Sequence, residues 1–172
     1  PRLYLISSYL RIGKWNTQHW IFSYLDKQTS IKRNIMTLKD ILNDRDRYAK
    51  VNGIQLTSIG KGTAEASMTV GENHLNAGNI CQGGALFTLA DLVFAALVNQ
   101  GEYIAFGINS TIYYHVAAKL GDVLTASGEL TSPHYKIPSA TVFIHNANGV
   151  LIASFTAQGY VKKIPAAYST LE

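Results

Sequence analysis

The sequence predicts an α+β fold in which a long antiparallel sheet wraps one buried helix. Two observations predict it. Residues 83–98 read GGALFTLADLVFAALV, a run that is apolar on every side except at Thr88 and Asp91, as is typical of a helix buried all round. From residue 105 onward the chain is rich in β-branched and aromatic residues broken by short polar connections, a pattern that indicates strands. A length of 172 residues suits one domain.

The charge is unevenly distributed along this domain-sized chain. The net charge is +4, but the first 35 residues hold six Lys or Arg against one Asp, and the remainder nets −1. We therefore expect residues 1–35 to be an N-terminal extension outside the fold and residues 36–172 to form the domain. An Arg-rich organellar presequence is a weaker reading of that extension. With the basic excess confined there, no nucleic-acid partner is expected.

The first elements of the domain follow from local patterns. Residues 37–49 predict a short amphipathic helix that begins at Thr37 as its N-cap. Residues 54–59 and 63–70 predict two strands around a turn at residues 60–62. Residues 72–82 form a polar loop that leads into the apolar helix, which is too short to span a membrane and carries a carboxylate.

Strands occupy the rest of the chain. The connections at residues 119–122, 132–138 and 146–149 predict an antiparallel meander, and residues 139–145 alternate with Val142 and Ile144 on one face. Cys81 is the only cysteine, which excludes an internal disulfide and favours a reducing compartment, the cytoplasm. The histidines show no ligand spacing, so neither a metal site nor a cofactor is expected.

Asp91 is the residue that most needs an explanation. An ionised carboxylate in an apolar helix is costly to bury unless it is paired or faces a cleft, and desolvated carboxylates cluster at active sites. The alternative is a structural carboxylate that accepts a hydrogen bond from Thr88, one turn earlier.

Gly83 and Gly84 open the same helix, where the backbone N–H groups have no partner within the helix. The two amides and the positive end of the helix are suited to hold a developing oxyanion; the alternative is that the glycines only permit a tight turn. Asp91 lies eight positions after Gly83, about 12 Å along a straight helix. If both act in catalysis, a dimer must bring Asp91 of one chain to Gly83 of the other.

Asn76, the run Gln82-Gly83-Gly84 and the run from Leu86 to Asp91 resemble the active-site segment of the hotdog-fold acyl-CoA thioesterases of the PaaI-like, phenylacetate-pathway group. The resemblance extends from about residue 38 to residue 163. It implies a hotdog fold and a homodimer with two composite sites, either as a dimer or as a dimer of dimers. It also implies that Asp91 is the general base or the nucleophile, that Gly83 is the oxyanion donor and that Asn76 positions the thioester or the water.

The resemblance has one departure, since many members carry His where this chain has Gln82. A glutamine still forms hydrogen bonds but does not titrate near neutrality. Cys81 beside it is expected to be a small buried hydrophobe. The predicted substrate-binding residues are Gln82, Gly84, Thr88, Asn109, His134 and Lys136. The last two are predicted contacts for the phosphates of coenzyme A, with a simply solvated surface turn as the alternative. Tyr113 and Tyr114 point to opposite faces of a strand, so at most one lines the site.

The expected activity is hydrolysis of an aryl- or medium-chain acyl-CoA to the free acid and coenzyme A, without a nucleic-acid or membrane partner. Two alternatives stay open. One is a hotdog hydratase or dehydratase of enoyl or 3-hydroxyacyl thioesters, disfavoured by the missing histidine. The other is a non-catalytic module that binds acyl-CoA.

Overall fold

A computed structural model describes residues 36–166; the predicted N-terminal extension lies outside the described residues, and its assignment as a separate part of the chain stays a prediction. Within these residues the chain forms three α-helices and six strands. They are α1 (Leu38–Arg45), α2 (Arg47–Val51), β1 (Gln55–Gly60), β2 (Thr63–Thr69), α3 (Gly83–Val98), β3 (Tyr103–Tyr114), β4 (Val123–Ser132), β5 (Ser139–Asn146) and β6 (Leu151–Pro165), with a 3₁₀ turn at Glu72–His74.

The first helical segment is two helices, not the single helix predicted over residues 37–49. Thr37 does cap α1, and its side chain and that of Asp40 bond each other's backbone N–H in a capping box. The break falls at Asp46, whose ψ of 91° is extended and whose side chain accepts the N–H of Ala49 to begin α2. An aspartate that caps a new helix competes with continuation of the first one.

The six strands form one antiparallel sheet in the order β1-β2-β4-β5-β6-β3. The predicted strands β1 and β2 are confirmed to within a residue, and β4, β5 and β6 are consecutive neighbours as a meander requires. The predicted turn at residues 119–122 does not join β3 to β4 as a hairpin, however, because β3 pairs with β6. That turn pairs instead with the end of β2, where Gly121 N–H bonds Val70 O and Val70 N–H bonds Asp122 O.

Helix α3 lies against the inner face of the sheet and contacts all six strands and both α1 and α2. Its bounds are those that the sequence predicts. The largest fully buried side chains come from the helix and from the facing strands; they include Leu89, Phe94, Leu97, Met68, Leu124, Ile144 and Phe155. The ring of Phe155 packs edge-on against Phe87 and Phe94.

One face of α3 corrects the prediction that the helix is buried all round. Gly84 is exposed, and Thr88, Asp91 and Ala95 are half-buried, at spacings that place all four on one side of the helix. We call these four residues the open stripe. The sheet together with α1 and α2 contacts the other sides of α3, so the open stripe is the face that residues 36–166 of one chain leave least covered.

Within residues 36–166, no helix is long and apolar enough to cross a membrane.

Candidate active site

The start of α3 has one open backbone amide. Gln82 is the N-cap, and its side-chain oxygen accepts the N–H of Gly84. The N–H of Ala85 bonds Gln82 O at 2.9 Å. None of the described residues accepts the N–H of Gly83. The sequence predicts that both glycine amides bind substrate, but the Gly84 amide is already bonded to the side chain of the helix cap, Gln82. Of the two amides, the Gly83 amide is the one left for this role.

The side chain of Tyr114 contacts Gly83. It is the last residue of β3, and its hydroxyl donates to Gly83 O at 3.1 Å. A Cβ atom at position 83 would lie 2.8 Å from the Tyr114 hydroxyl oxygen and 2.9 Å from Cζ. The space beside this glycine is thus occupied by a phenol ring, and only glycine fits there without displacing it.

The loop before α3 is held by His74 and Asn76. His74 is buried; its Nδ1 accepts from Gly71 N–H and its Nε2 donates to Asn52 O, and its own carbonyl accepts the N–H of Gln82. The side-chain oxygen of Asn76 accepts the N–H groups of Gly78 and Ile80. The oxygen of Asn76 therefore shapes its own loop, and the side-chain nitrogen is the atom left to contact a substrate or a water.

Asp91 lies on the open stripe, half-buried, and among residues 36–166 nothing donates a hydrogen bond to its carboxylate. The alternative that Thr88 satisfies it is wrong, because the Thr88 hydroxyl donates to Gly84 O at 2.9 Å. Burial raises the pKa of the Asp91 carboxyl above its ordinary value, and the negative charge of Asp46 raises it further. A carboxylate that is desolvated and unpaired is a stronger base than an ordinary aspartate.

Asp46 is a residue that the sequence did not single out. It sits between α1 and α2, near enough to Asp91 for its charge to raise the pKa of that carboxyl. An aspartate that can cap a helix is the sequence signal that could have identified Asp46, but it lies within residues 37–49, whose pattern predicts one continuous helix.

Three predicted substrate-binding residues lie away from Gly83 within the chain. Asn109 is in the middle of β3 and shares the outer face with Thr111 and Tyr113, opposite to the face that carries Tyr114. His134 accepts the N–H groups of Lys136 and Ile137 in its own turn.

The turn that holds His134 and Lys136 is far from the start of α3. Lys136 O accepts the N–H of Val161, and Val161 pairs with Ala105 in β3. Ala105 lies nine positions before Tyr114, which is about 30 Å along an extended strand. The fold of one chain therefore does not bring His134 and Lys136 to the start of α3.

Cys81 is buried beside the site, and burial together with the charge of Asp122 raises the pKa of its thiol to about 11. A protonated, buried thiol is an inert side chain at neutral pH, not a nucleophile. Among the described residues, no cluster of His, Cys, Asp or Glu could hold a metal ion.

Known proteins share this fold and this region. The family model of the thioesterase superfamily matches residues 78–153. An Archaeoglobus fulgidus protein named "Putative esterase" is 32% identical over 127 residues, which cover 74% of this chain and 81% of that protein. The acyl-coenzyme A thioesterase PaaI of Escherichia coli is 37% identical over 87 residues, which cover 51% of this chain and 62% of that enzyme.

Solved structures agree with these matches. The structure of E. coli PaaI has a TM-score of 0.69 with this chain at 29% identity, covering 72% of this chain and 90% of that one. A Streptococcus pneumoniae protein named "Hypothetical Thioesterase Protein", solved with coenzyme A, has a TM-score of 0.62 with this chain at 26% identity, covering 66% of this chain and 91% of that one.

The chain therefore belongs to the thioesterase superfamily. Its fold is the hotdog fold, its relatives place it with the PaaI-like group, and its class of activity is thioester hydrolysis, as the sequence predicted.

Proposed function

We propose that this protein hydrolyses the thioester of an aryl- or medium-chain acyl-CoA to the free acid and coenzyme A. The observation that carries the proposal is that one helix holds both an open amide, Gly83 N–H, and a desolvated, unpaired carboxylate, Asp91. The name of the E. coli relative, an acyl-coenzyme A thioesterase, and the coenzyme A in the S. pneumoniae structure support the substrate class.

The reaction needs only these groups and water. Asp91 removes a proton from a water molecule, and the water oxygen bonds to the thioester carbon. Negative charge develops on the carbonyl oxygen, where Gly83 N–H and the positive end of α3 stabilise it. The C–S bond then breaks, and the thiolate of coenzyme A takes the proton from Asp91. If Asp91 attacks the thioester carbon directly instead, the C–S bond breaks, coenzyme A leaves as its thiolate and an anhydride forms; water then hydrolyses the anhydride to the free acid and the Asp91 carboxylate, and the thiolate is protonated by water.

The active unit that we propose is a homodimer with two composite sites. Gly83 and Asp91 are about 12 Å apart along α3, and a base acts within about 3 Å of its proton, so the two cannot serve one thioester from one chain. Asp91 lies on the open stripe, the face that a second copy is free to approach. We propose further that two such dimers assemble as a dimer of dimers.

The edge strand β3 is the surface that suits this dimer. It is twelve residues long and lies at the edge of the sheet, with exposed apolar side chains at Phe106, Ile108 and Tyr113. An exposed edge of this kind favours pairing with another strand. When two β3 strands pair antiparallel, the end of β3 near Lys136 in one copy lies beside the end near Tyr114 in the other copy. We propose that His134 and Lys136 reach the substrate phosphates through this pairing.

We also propose that Asn76 positions the thioester or the water through its side-chain nitrogen, and that Gln82, Gly84 and Thr88 shape the start of α3 against the substrate. The location that we propose is the cytoplasm, because the single cysteine forms no internal disulfide and a reduced thiol persists in a reducing compartment.

Asp91→Asn tests the reaction. The variant and the wild-type protein are assayed with a panel of aryl and straight-chain acyl-CoAs, with release of thiol as the readout. We expect turnover to fall at least a hundredfold in a folded protein. Asp44→Asn is the matched control, since Asp44 is an exposed carboxylate paired with Lys50 and should leave turnover unchanged. Wild-type protein that binds acyl-CoA but releases no thiol would contradict hydrolysis and favour the binding module.

A mixing experiment tests the composite site. Asp91→Asn and Gly83→Ala chains are unfolded together and refolded. In a composite site each mixed pair regains one intact site, so the mixture should recover about a quarter of wild-type turnover. No recovery, in a mixture shown to contain mixed pairs, would contradict the composite site.

A further inference from the structure

The start of α3 carries a backbone amide, Gly83 N–H, that must stay oriented if it is to receive an oxyanion. Gly83 and Gly84 have the greatest backbone freedom of any residue type, and the first turn of a helix has no intrahelical partner for its amides. The cap from Gln82 fixes the Gly84 amide only. An oxyanion donor is effective when it is already aimed at the position where charge develops, so something must hold the Gly83 backbone in place.

Tyr114 is the side chain that contacts this backbone from the sheet. Its hydroxyl donates to Gly83 O at 3.1 Å, and its ring occupies the place where a Cβ atom at position 83 would lie. The backbone of Tyr114 is itself anchored, because it pairs with Ala153 near the start of β6 and the next residue donates its N–H to Ile152 O. The tyrosine thus connects the first turn of α3 to the end of two paired strands.

We propose that Tyr114 is a positioning residue that holds the Gly83 amide in the orientation in which it receives the oxyanion. The inference rests on the proposed hydrolysis. The hydroxyl restrains the Gly83 carbonyl, and the ring blocks movement of the glycine toward the sheet. The hydrogen bond from the Gly83 amide to the substrate oxygen is strongest in the transition state. Loss of the amide's orientation should therefore lower kcat more than it raises KM.

Tyr114→Phe removes the hydroxyl and keeps the ring, and Tyr48→Phe is the control. Tyr48 lies in α2, outside β3, and its side chain is exposed. We expect Tyr114→Phe to lower kcat about tenfold, which is the scale of one hydrogen bond, with KM within about twofold of wild type. Tyr48→Phe should leave both constants unchanged.

The outcomes separate this inference from the proposed reaction. If Tyr114→Phe retains wild-type kcat while Asp91→Asn is inactive, the hydrolysis stands and the positioning role is overturned. If wild-type protein hydrolyses no acyl-CoA, the proposed function fails first. A rise in KM at constant kcat would also overturn positioning, because it would show a plain substrate contact.

A double-mutant cycle supplies a second measurement that does not depend on the phenylalanine variant. Gly83→Ala is compared in the wild-type and Tyr114→Ala backgrounds. Because the added methyl collides with the tyrosine ring, the loss of kcat caused by Gly83→Ala should be at least threefold smaller when the ring is absent. Equal losses in the two backgrounds would overturn the inference.

Discussion

The side-chain oxygen of Gln82 accepts the N–H of Gly84, two residues further along the chain. Many PaaI-like proteins have a histidine at the position of Gln82, and here the residue acts as a helix cap. It occupies one of the two glycine amides, and of the pair it is the Gly83 N–H for which none of the described residues is an acceptor. The proposed oxyanion site thus depends on the Gly83 N–H, while the N–H groups of Gln82 and Gly84 on either side of it are already bonded.

Gly83→Ala should damage the enzyme more than Gly84→Ala. A methyl at position 83 meets the Tyr114 ring at under 3 Å, so the amide and the ring are pushed apart and turnover should fall tenfold to a hundredfold, approaching the loss of a whole oxyanion donor. A methyl at position 84 meets only the end of the flexible Gln82 side chain, which can rotate away. The measurement is kcat at saturating substrate; equal losses in the two variants would contradict the assignment.

Asp46→Asn should shift the pH dependence of hydrolysis. Asparagine keeps the side-chain oxygen that caps α2 and removes the charge that raises the pKa of Asp91. Because the reaction needs Asp91 ionised, the acidic limb of the kcat/KM profile should move to lower pH. Asp44→Asn removes a charge from the same segment and should leave the limb in place. A shift of the Asp46→Asn profile to higher pH would contradict the coupling.

Asp91→Asn should stabilise the folded protein at neutral pH. The raised pKa of Asp91 means that the folded state binds this proton more tightly than the unfolded chain does. The resulting stabilisation is complete below the ordinary pKa of an aspartate and is lost as the pH rises through the raised value. At pH 7.5 the wild-type protein therefore carries a buried charge that the variant lacks.

Thermal unfolding checks this stability prediction. Tm of the variant should exceed that of the wild type at pH 7.5, and the difference should shrink as the pH falls toward 4. A lower Tm for Asp91→Asn at neutral pH would show that the ionised carboxylate is stabilised by a partner.

Helix α3 and Asp91 could be predicted from the sequence because a single short segment determines them. An unbroken apolar run fixes the helix, and a lone carboxylate within it stands out. The pairing of β3 with β6 could not, because it joins segments about forty residues apart and local patterning does not distinguish it from a β3–β4 hairpin. The choice between Tyr113 and Tyr114 depends on that register, so it too needed the structure.

Cys81 should resist alkylation. With its pKa raised to about 11, only about one thiol in a thousand is ionised at pH 8, and the side chain is buried. Iodoacetamide should label the folded protein at that pH far more slowly than it labels the urea-unfolded chain, and the folded rate should rise with pH. Cys81→Ala should keep wild-type turnover. Rapid labelling of the folded protein with loss of activity would contradict this.

Gly128→Ala should destabilise the fold without touching the site. A Cβ at position 128 in β4 would lie 2.7 Å from Val93 Cγ1, 2.9 Å from Val142 Cγ2 and 3.0 Å from Leu97 Cδ1, where α3 packs on the sheet. Overpacking of this kind costs about 1–3 kcal/mol. Gly101→Ala is the control, since nothing lies within 4 Å of its added methyl. Chemical denaturation measures both, and equal free energies of unfolding would contradict the close packing.

The pairing of β3 with β6 also governs the order in which the molecule can be built. During synthesis β3 leaves the ribosome before β4 and β5, yet among residues 36–166 the strand that pairs with it is β6. This pairing therefore waits until residues 151–165 have emerged, and until then α3 lacks the part of the sheet that β3 and β6 form together. A nascent chain stopped before β6 would hold every proposed catalytic residue but not the strand that fixes Tyr114 beside Gly83.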